Sequence, residues 1–575
     1  MWCLLQCRLR ILVLILLLGS IVLGQVEAWS GWDGLDEAQR AALLEELNTW
    51  ADEPLHLRTL TRRQLGELPV STTTQNVVWD YLQSHPQIRS LDFLDSLMLD
   101  SWDYMVLSAA IATDDGGRDQ RYRLRMSTRS NQPDERYRQN INLQFNRLSL
   151  SAMIQRESEA ISFHSYLTGG AVYALPKKYG RLYLGNYRVD SGYGLTFGQS
   201  AFVSGSGLNQ VYPRLRQRVR IHQSAQMYGY FTGIAWQREW STLQLLIHLS
   251  QNQIPGKIID GEYVPFPTSS AVNVVYRSAR TMGVSLQYMG EEALKVQIHL
   301  GSDHLADQWD LPAEVSIAWE HSYLRMAYGA AWWGGDTLSQ LFSVRLDGER
   351  ISSALGFWKI GGQRKLRYRL SEPIIAMQAV NNQGAALGIR YHPGNGVSME
   401  FIAWLRTDVM PIDLQDNAFK RGHESRLTWK NGNVFWRQQW TTGEGSLHKV
   451  GIQIHQQQRK EFRLVEFFKL AYQDGMFGGL AGLRWRYRLP GWQVNAGLVR
   501  YLAKAYAVRQ YAYESGVSSA FSVPLYYGDG VRMYTVIGVL DSFWKLEFQF
   551  GQWREFKMEG TTNKLDATLQ LSIVF

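Results

Sequence analysis

Residues 565–575 read Leu-Asp-Ala-Thr-Leu-Gln-Leu-Ser-Ile-Val-Phe, and this stretch decides the fold. Side chains alternate between the two faces of an extended strand, so every second residue shares a face. About ten residues with such alternation are what a membrane-spanning β-strand requires, although an ordinary sheet strand shows the same pattern. One face is apolar (Leu565, Ala567, Leu569, Leu571, Ile573, Phe575) and the other is polar (Asp566, Thr568, Gln570, Ser572).

The N-terminal segment has the layout of a secretory signal peptide. Arg8 and Arg10 precede an apolar run from residue 11 to residue 23, and small residues up to Ala28 offer a cleavage site. The run is short for a transmembrane helix, so an uncleaved anchor is the weaker alternative. Both cysteines of the chain, Cys3 and Cys7, lie inside this segment. We therefore expect residues 1–28 to be removed and the exported chain to contain no cysteine.

The period of two returns throughout the second part of the chain. Trp544, Leu546 and Phe548 alternate with polar residues, for example, and Asp347-Gly348 and Asn431-Gly432 stand between alternating segments as hairpin turns do. Aromatic residues make up 13% of the chain, and 51 residues are glycine, a composition typical of large barrels with aromatic girdles. The pattern predicts a mainly β fold, a large antiparallel transmembrane β-barrel of roughly 20–26 strands. A large soluble all-β protein is the alternative.

A helical region precedes the strands. Apolar residues recur at helical spacing between Asp36 and Trp50, and helices are predicted over Thr74 to Gln83, Leu91 to Met98 and Ser101 to Ala112. The predicted organisation is a signal peptide (1–28), a small all-α periplasmic domain (29–113), a linker (114–119) and an outer-membrane barrel (120–575).

Part of the helical region resembles helix-hairpin-helix modules. The resemblance is carried by Pro54-Leu55-His56-Leu57 and by Leu65-Gly66-Glu67-Leu68-Pro69, with Val70, Ser71 and Thr72 at the place of the hairpin glycines. In DNA-binding members those glycines let backbone N–H groups meet a phosphate. The resemblance implies two alternatives, a protein-contact module or a DNA contact through candidate residues of this region (Arg58, Arg62, Arg63, Ser71, Thr72).

Two further resemblances concern the barrel. Leu184-Gly185-Asn186-Tyr187-Arg188-Val189-Asp190-Ser191-Gly192-Tyr193-Gly194-Leu195 resembles a stretch of Bacteroidetes-type envelope proteins that join a helix-hairpin-helix-like region to an outer-membrane barrel. The final aromatic resembles the C-terminal signature of bacterial outer-membrane barrels, which implies an assembly signal (Leu569, Leu571, Ile573, Phe575) read by the barrel-assembly machinery. Glycine permits positive φ or close backbone contact. The stretch around Gly185, Asn186, Tyr187, Gly192 and Gly194 is therefore either a bulged strand or an inward-folded constriction.

Three arginines alternate with apolar residues near the end of the chain. Leu483, Trp485 and Tyr487 separate Arg484, Arg486 and Arg488. A guanidinium group facing lipid costs about 2–4 kcal/mol at the midplane, so the arginines are expected to face the lumen. Such a basic stripe selects anions or pairs with acidic residues of neighbouring strands or of a plug.

Enzyme motifs are absent from the sequence. It contains no His-Glu-x-x-His, no Gly-x-Ser-x-Gly and no phosphate-binding loop, and we expect no catalysis, cofactor or metal. The net charge of +8 is mild for 575 residues. The leading hypothesis is a pore or structural/assembly component of the outer membrane, with lipid, the barrel-assembly machinery and a periplasmic or envelope protein as partners. The alternatives are a DNA-uptake protein, for which nucleic acid is the partner, and an outer-membrane phospholipase.

Overall fold

The computed structural model describes 55–57, 60, 64–65, 68, 70, 72–88, 91, 93–97 and 101–112 of the N-terminal part. It describes 122–574 except 133–135, 157–165, 177–178, 197, 200–207, 209–210, 213–214, 223–229, 260–261, 266–274, 290–293, 306–307, 322, 333–337, 349, 361–368, 372–380, 395–396, 410–417, 430–431, 444, 460, 513, 515, 518–523, 542–543 and 558–559.

Among the described residues, twenty-four strands form the wall of the molecule. In chain order they are β1 Tyr122–Gln132, β2 Arg136–Phe145, β3 Leu148–Arg156, β4 Tyr166–Ala174, β5 Arg181–Gly192, β6 Phe231–Glu239, β7 Leu243–Ile259, β8 Val275–Met289, β9 Leu294–Leu305, β10 Ala313–Glu320, β11 Leu324–Trp332, β12 Leu338–Asp347, β13 Ile351–Ile360, β14 Asn381–Gly394, β15 Val397–Val409, β16 Ala418–Trp429, β17 Gly432–Thr441, β18 Gly445–Arg459, β19 Phe462–Gln473, β20 Met476–Leu489, β21 Trp492–Ala503, β22 Gly528–Leu540, β23 Trp544–Lys557 and β24 Gly560–Val574.

Each wall strand pairs antiparallel with its neighbours, and the last strand closes the ring on the first. β24 pairs with both β23 and β1, with Leu569 opposite Thr128 on β1. Closure pairs the first strand with the last, so neither of them is left as a free edge of the sheet. The predicted fold class, a mainly β protein built on a large antiparallel barrel, is confirmed.

Side chains of the wall alternate between two environments. On β13, Ile351, Leu355 and Phe357 are exposed, whereas Ala354 and Trp358 are buried. On β24, Leu565 and Leu569 are exposed, and the buried set is polar (Asp566, Thr568, Gln570). This is the reverse of a water-soluble protein, in which large apolar side chains are the buried ones. The exposed apolar side chains therefore point outward, whereas the inward face is polar on β24 and carries Ala354 and Trp358 on β13.

The helical region forms a small core of its own. Helices α1 (Thr72–Ser84), α2 (Phe93–Ser96) and α3 (Ser101–Ala110) surround buried apolar side chains (Leu57, Leu60, Leu65, Leu68, Val70, Val78, Phe93, Leu94, Val106, Leu107, Ala110, Ile111). The predicted third helix ends early, because Ile111–Ala112 pair in parallel with Leu55–His56 instead. No helix among the described residues is long and apolar enough to cross a membrane. The predicted helix within 36–50, the signal peptide and the linker lie outside the described residues, and the domain boundaries stay predictions.

The two ends of the barrel differ in the length of their connections. At the end that holds Tyr122 and Val574 every connection is short, the longest being 175–180. The opposite end carries the long connections 193–230, 361–380 and 504–527. The chain enters the barrel from the helical region at the short-turn end.

The described parts of two long connections lie inside the lumen. The first, here called the lumen segment (residues 187–222), begins where β5 leaves the wall: Tyr187–Gly192 pair with a short strand, Arg216–Ile221. The second, called the inner loop (residues 504–527), contains a short hairpin of Gln510–Tyr511 with Leu525–Tyr526. Both pack on the inner face of wall strands, so the barrel is partly filled.

Candidate functional site: the partly filled lumen

Glycines mark the point at which β5 leaves the wall. Gly185 has φ of +96°, and a Cβ there would lie 2.6 Å from the Gly169 carbonyl oxygen and 2.8 Å from Gly170 Cα. Pairing between β4 and β5 ends at Gly170 and Gly185. Only a residue without a side chain fits both the φ value and the close backbone contact.

The side chains of Asn186 and Tyr187 form hydrogen bonds between wall strands and β5 where β5 turns inward. The Asn186 side chain accepts a hydrogen bond from Gly169 N (3.2 Å) and donates to Thr232 Oγ1 (3.0 Å). The Tyr187 hydroxyl, on a fully buried ring, lies 2.8 Å from the Leu249 carbonyl oxygen. These bonds replace ladder bonds that β5 gives up when it turns inward, because buried backbone groups need partners.

A buried glutamate holds the tip of the inward strand. Glu314 of β10 accepts hydrogen bonds from Tyr193 N and Thr196 N (2.9 Å each), and from Thr196 Oγ1 (2.7 Å). Ser316 Oγ donates to the same carboxylate at 2.9 Å. A Cβ on Gly192, where φ is +62°, would lie 2.0 Å from Glu314 Oε1, so glycine is required there too. Hydrogen bonds to a charged acceptor are stronger than neutral ones.

A second wall carboxylate binds the lumen segment farther along. Glu400 of β15 accepts from Leu208 N (3.0 Å) and from Arg390 Nη2 (2.9 Å). Ser343 of β12 donates to the Val211 carbonyl oxygen at 2.9 Å. The lumen segment is thus fastened to β10, β12 and β15 by its backbone.

The lumen segment also makes apolar contacts with the inner wall. Its buried side chains (Tyr193, Leu195, Leu208, Val211, Tyr212) pack on inward-facing wall residues (Ala327, Ala331, Leu341, Ala354, Trp358, Ile360, Ala386, Ile402, Trp404). Small residues and glycines on this wall give it room: Gly329 lies under the Tyr193 ring and Gly388 beside Leu208. This apolar packing excludes water, and the lower local dielectric strengthens the hydrogen bonds to Glu314.

Two tyrosines of the lumen segment donate to the wall as neutral phenols. Burial raises the pKa of Tyr193 well above its usual value and also raises the pKa of Tyr212. The Tyr193 hydroxyl donates to the Ile317 carbonyl oxygen (2.9 Å), and the Tyr212 hydroxyl to that of Met326 (3.3 Å). Because both phenols keep their proton at neutral pH, these donors persist there.

The inner loop is anchored by a buried arginine between two carboxylates. Arg532 of β22 donates through Nε and Nη2 to Glu514 of the inner loop at 2.9 Å each, and it also bonds Asp566 of β24. Tyr526 donates to Glu514 at 2.6 Å, and Lys469 Nζ donates to the Tyr511 carbonyl oxygen at 2.7 Å. The exposed fractions are 2% for the Arg532 side chain and 0% for that of Glu514.

The residues singled out from the sequence fall in different places. Gly185, Asn186, Tyr187, Gly192 and Gly194 come together at the start of the lumen segment. Their proposed role as a constriction stays a prediction.

Other predicted residues fall on the wall or outside the described part. Arg484 is buried on the inner face, Arg486 is half-buried and Arg488 is exposed, whereas Leu483, Trp485 and Tyr487 face outward. Of the C-terminal set, Leu569 is exposed on β24, Leu571 and Ile573 are half-buried, and Phe575 is not described. The DNA-contact candidates Arg58, Arg62, Arg63 and Ser71 lie outside the described residues, as does the Thr72 side chain; Thr72 begins α1.

The residues that hold the inward segments on the wall are not evident from the sequence. Glu314, Glu400 and Arg532 are charged residues on strands with clean alternation, and each occupies an inward position. A charge in mid-strand signals the inner face, but its partner lies more than a hundred residues away for Glu314 and Glu400. Among the described residues, no group of three or more His, Cys, Asp or Glu side chains is placed to hold a metal ion.

The arrangement defines a class: a closed antiparallel barrel with an apolar exterior and an interior partly filled by its own connections. No protein-family model matches the chain, and no curated protein matches it. The similar solved structures include the ferric enterobactin receptor of Pseudomonas aeruginosa, at 8% identity over 79% of this chain and 80% of that one, with a TM-score of 0.41. The siderophore receptor PirA of Pseudomonas aeruginosa matches at 7% identity over 79% and 81%, with a TM-score of 0.41. OccAB4 of Acinetobacter baumannii matches at 7% identity over 59% and 99%, with a TM-score of 0.29.

Similarity at these TM-scores is too low to assign a function, which has to come from the lumen and the outer face. The resemblance to Bacteroidetes-type envelope proteins likewise stays a prediction.

Proposed function

We propose that this chain is a non-enzymatic outer-membrane barrel that conducts small solutes through a lumen narrowed by its own lumen segment. The observation that carries the proposal is the packing of Tyr193, Leu195, Leu208, Val211 and Tyr212 on the inner wall, where Glu314 and Glu400 bind the backbone of Tyr193 and Leu208. A segment fastened across part of the lumen limits the size of what passes, as inward-folded loops do in barrels too wide for side chains to fill.

The outer face supports a membrane location. Exposed aromatic residues stand near the short-turn end of the strands (Tyr288, Tyr391, Tyr487, Trp492, Trp544) and near the opposite end (Trp332, Phe419, Tyr472, Phe477, Phe556), with aliphatic and other apolar side chains between them. Two aromatic girdles around an apolar band are typical of barrels in a bilayer. Short turns are typical of the periplasmic side, which favours a periplasmic helical domain as a contact for envelope proteins.

Conductance in planar bilayers tests the proposal. We expect the detergent-extracted protein to form small channels, and a variant with residues 192–207 replaced by a short Gly-Ser linker to form larger ones. Leu208→Ala/Val211→Ala, which weakens the apolar packing but keeps the segment, is the milder variant and should increase the frequency of large openings. Retention of a compact, heat-modifiable band on gels controls for barrel folding.

Two results would contradict the proposed pore. The first is no conductance from either the wild type or the shortened variant, which favours a structural role. The second is identical conductance from both, which removes the lumen segment as the constriction.

A further inference from the structure

The inner face of β15 to β20 is strongly basic. By register and burial the described charged side chains on this face are mainly cationic (Arg406, Lys420, Arg426, Arg437, Lys449, Arg463, Lys469, Arg484, Arg486, Arg488), and the carboxylates described there are Glu400 and Glu424. The cations thus outnumber the carboxylates several-fold.

The wall under the lumen segment is different. On the inner face of β8 to β12 the described charges nearly balance: Lys295, Arg325 and Arg345 share the face with Asp303, Glu314, Glu320 and Asp347. Lys295 bonds Glu320 at 2.9 Å, and Arg345 bonds Asp347 at 2.8 Å. The inner face of β8 to β12, where Glu314 binds Tyr193 and Thr196, is therefore near-neutral, and the positive charge is concentrated on β15 to β20.

Aromatic rings and one shared carboxylate hold several of these cations along the wall. The Arg437 guanidinium lies 5.6 Å from the Trp404 ring centroid, Lys469 Nζ 5.9 Å from that of Phe435, and the Arg484 guanidinium 5.2 Å from that of Phe467. Glu424 is shared by Arg426 (2.9 Å) and Arg437 (3.0 Å). A cation over a ring face keeps its charge, and one carboxylate shared by two arginines offsets only one of their two charges, so this group of contacts retains a net positive charge.

The cations form a track along the height of the barrel. Arg488 and Arg463 lie beside the short-turn end; Arg486 and Arg484 follow on β20, and side-chain exposure falls from Arg488 to Arg484. Farther up, Arg437 is directly opposite Lys449, and Arg406 is opposite Lys420. Neighbouring positions on one face of a strand are about 7 Å apart, so charges succeed one another at steps that an ion can follow.

We propose that this basic track makes the lumen selective for small anionic solutes, such as inorganic phosphate and small carboxylates. The inference rests on the proposed pore function. Rings or rows of Lys and Arg select anions in pores, and low-dielectric walls focus their field. A positive field needs only the excess of cations on this face, whatever hydrogen bonds the individual side chains make.

The zero-current potential across a bilayer under a KCl gradient tests the proposal. We expect the wild type to give the sign that chloride permeation produces. Arg463→Gln/Arg486→Gln/Arg488→Gln, which removes three charges at the accessible end of the track, should reduce the ratio of chloride to potassium permeability several-fold. Arg437→Gln/Lys449→Gln tests the deeper part of the track. Phosphate and acetate replace chloride in a second series, and both should permeate in the wild type.

A charge-matched control removes three partly exposed inner-wall cations outside the track. Lys295→Gln/Arg325→Gln/Lys545→Gln should leave the permeability ratio nearly unchanged. Equal shifts from both triple variants, or a cation-selective wild type, would overturn the anion track and leave the pore standing. If no variant conducts, including the one shortened at 192–207, the proposed pore fails and the anion track fails with it.

Discussion

Single charged residues in the lumen decide where the connections of the barrel lie. Glu314 accepts two backbone N–H groups and two hydroxyls while its own side chain is almost fully buried. Gly192 and Gly194 predict backbone with positive φ, because glycine adopts such φ values most readily. The sequence does not indicate that Gly192 lies against the Glu314 carboxylate. Tyr193 and Thr196, which donate to Glu314, lie more than a hundred residues away in sequence. A single glutamate in an alternating strand fits a solvent-exposed position equally well.

Glu314→Gln should loosen the lumen segment. An amide presents one oxygen and an NH₂ group to donors that need acceptors, so at least one backbone N–H loses a charged acceptor, at a cost of about 1.5–3 kcal/mol. We expect faster hydrogen exchange at the amides of Tyr193 and Thr196 and more frequent large channel openings. Glu320→Gln on the same strand is the control, since its bond to Lys295 is partly exposed and such pairs contribute about 0–1 kcal/mol. Unchanged exchange at Tyr193 would contradict the role assigned to Glu314.

Aromatic rings lie over glycines of the next strand in several places on the inner wall. A Cβ on Gly482 would lie 2.4 Å from Phe467 Cζ, and one on Gly451 would lie 2.2 Å from Phe435 Cε1. The same relation joins Trp404 to Gly422 and Trp358 to Gly384. These glycines are therefore required by packing against a neighbouring ring, which a reading of one strand at a time does not reveal.

Gly482→Ala should destabilise the barrel by about 1–3 kcal/mol, because the added methyl group overlaps the Phe467 ring and forces it off its rotamer. Gly479→Ala on the same strand is the matched control, since its Cβ would meet nothing closer than Leu470 Cδ2 at 3.4 Å. The measurement is the temperature at which the compact barrel band converts to the unfolded band on gels. Equal conversion temperatures for the two variants would be inconsistent with packing of the ring on Gly482.

At the scale of elements, the period of two predicts the wall strands but does not predict that β5 leaves the wall. β13 and β24 alternate cleanly, since one face meets the exterior and the other the lumen. In β5 the alternation ends after Tyr187, because the strand leaves the wall and both of its faces are covered; Arg188, Asp190 and Ser191 are all buried. A sequence pattern places polar residues on an exposed face, so it does not distinguish a strand that turns inward from a bulged wall strand.

Arg532 should hold the inner loop on the wall as Glu314 holds the lumen segment. Arg532→Leu leaves Glu514 and Asp566 buried without their shared cation, and breaking such a group by removing one partner costs about 3–5 kcal/mol. We expect the inner loop to become sensitive to protease within 504–527 and the channel conductance to rise. Arg500→Leu is the control, because its pair with Asp529 is half-exposed and contributes little. Equal protease sensitivity of the two variants would remove Arg532 as the anchor of the inner loop.

For the whole molecule, the connections between strands are short at one end of the barrel and long at the other, and this difference predicts the orientation of the barrel in the membrane. The sequence predicted a barrel and a preceding helical domain from the pattern of each segment, and the described connections add which end is which. The strand number, 24, lies within the predicted range of roughly 20–26. The sequence pattern gives only a range, because short strands such as Gln308–Asp310, which pairs with the end of β9, alternate as wall strands do.

Cysteine labelling at the two ends of one strand tests this orientation. Leu311 and Tyr323 flank β10 on opposite ends and are 67% and 68% exposed, so cysteines there are equally accessible in the free protein. With short turns on the periplasmic side, we expect a membrane-impermeant maleimide to label Leu311→Cys in intact cells and Tyr323→Cys only after the outer membrane is opened. The wild type is the background control, since its cysteines lie in the predicted signal peptide. The reverse labelling would place the short-turn end, and with it the entry from the helical region, on the cell surface.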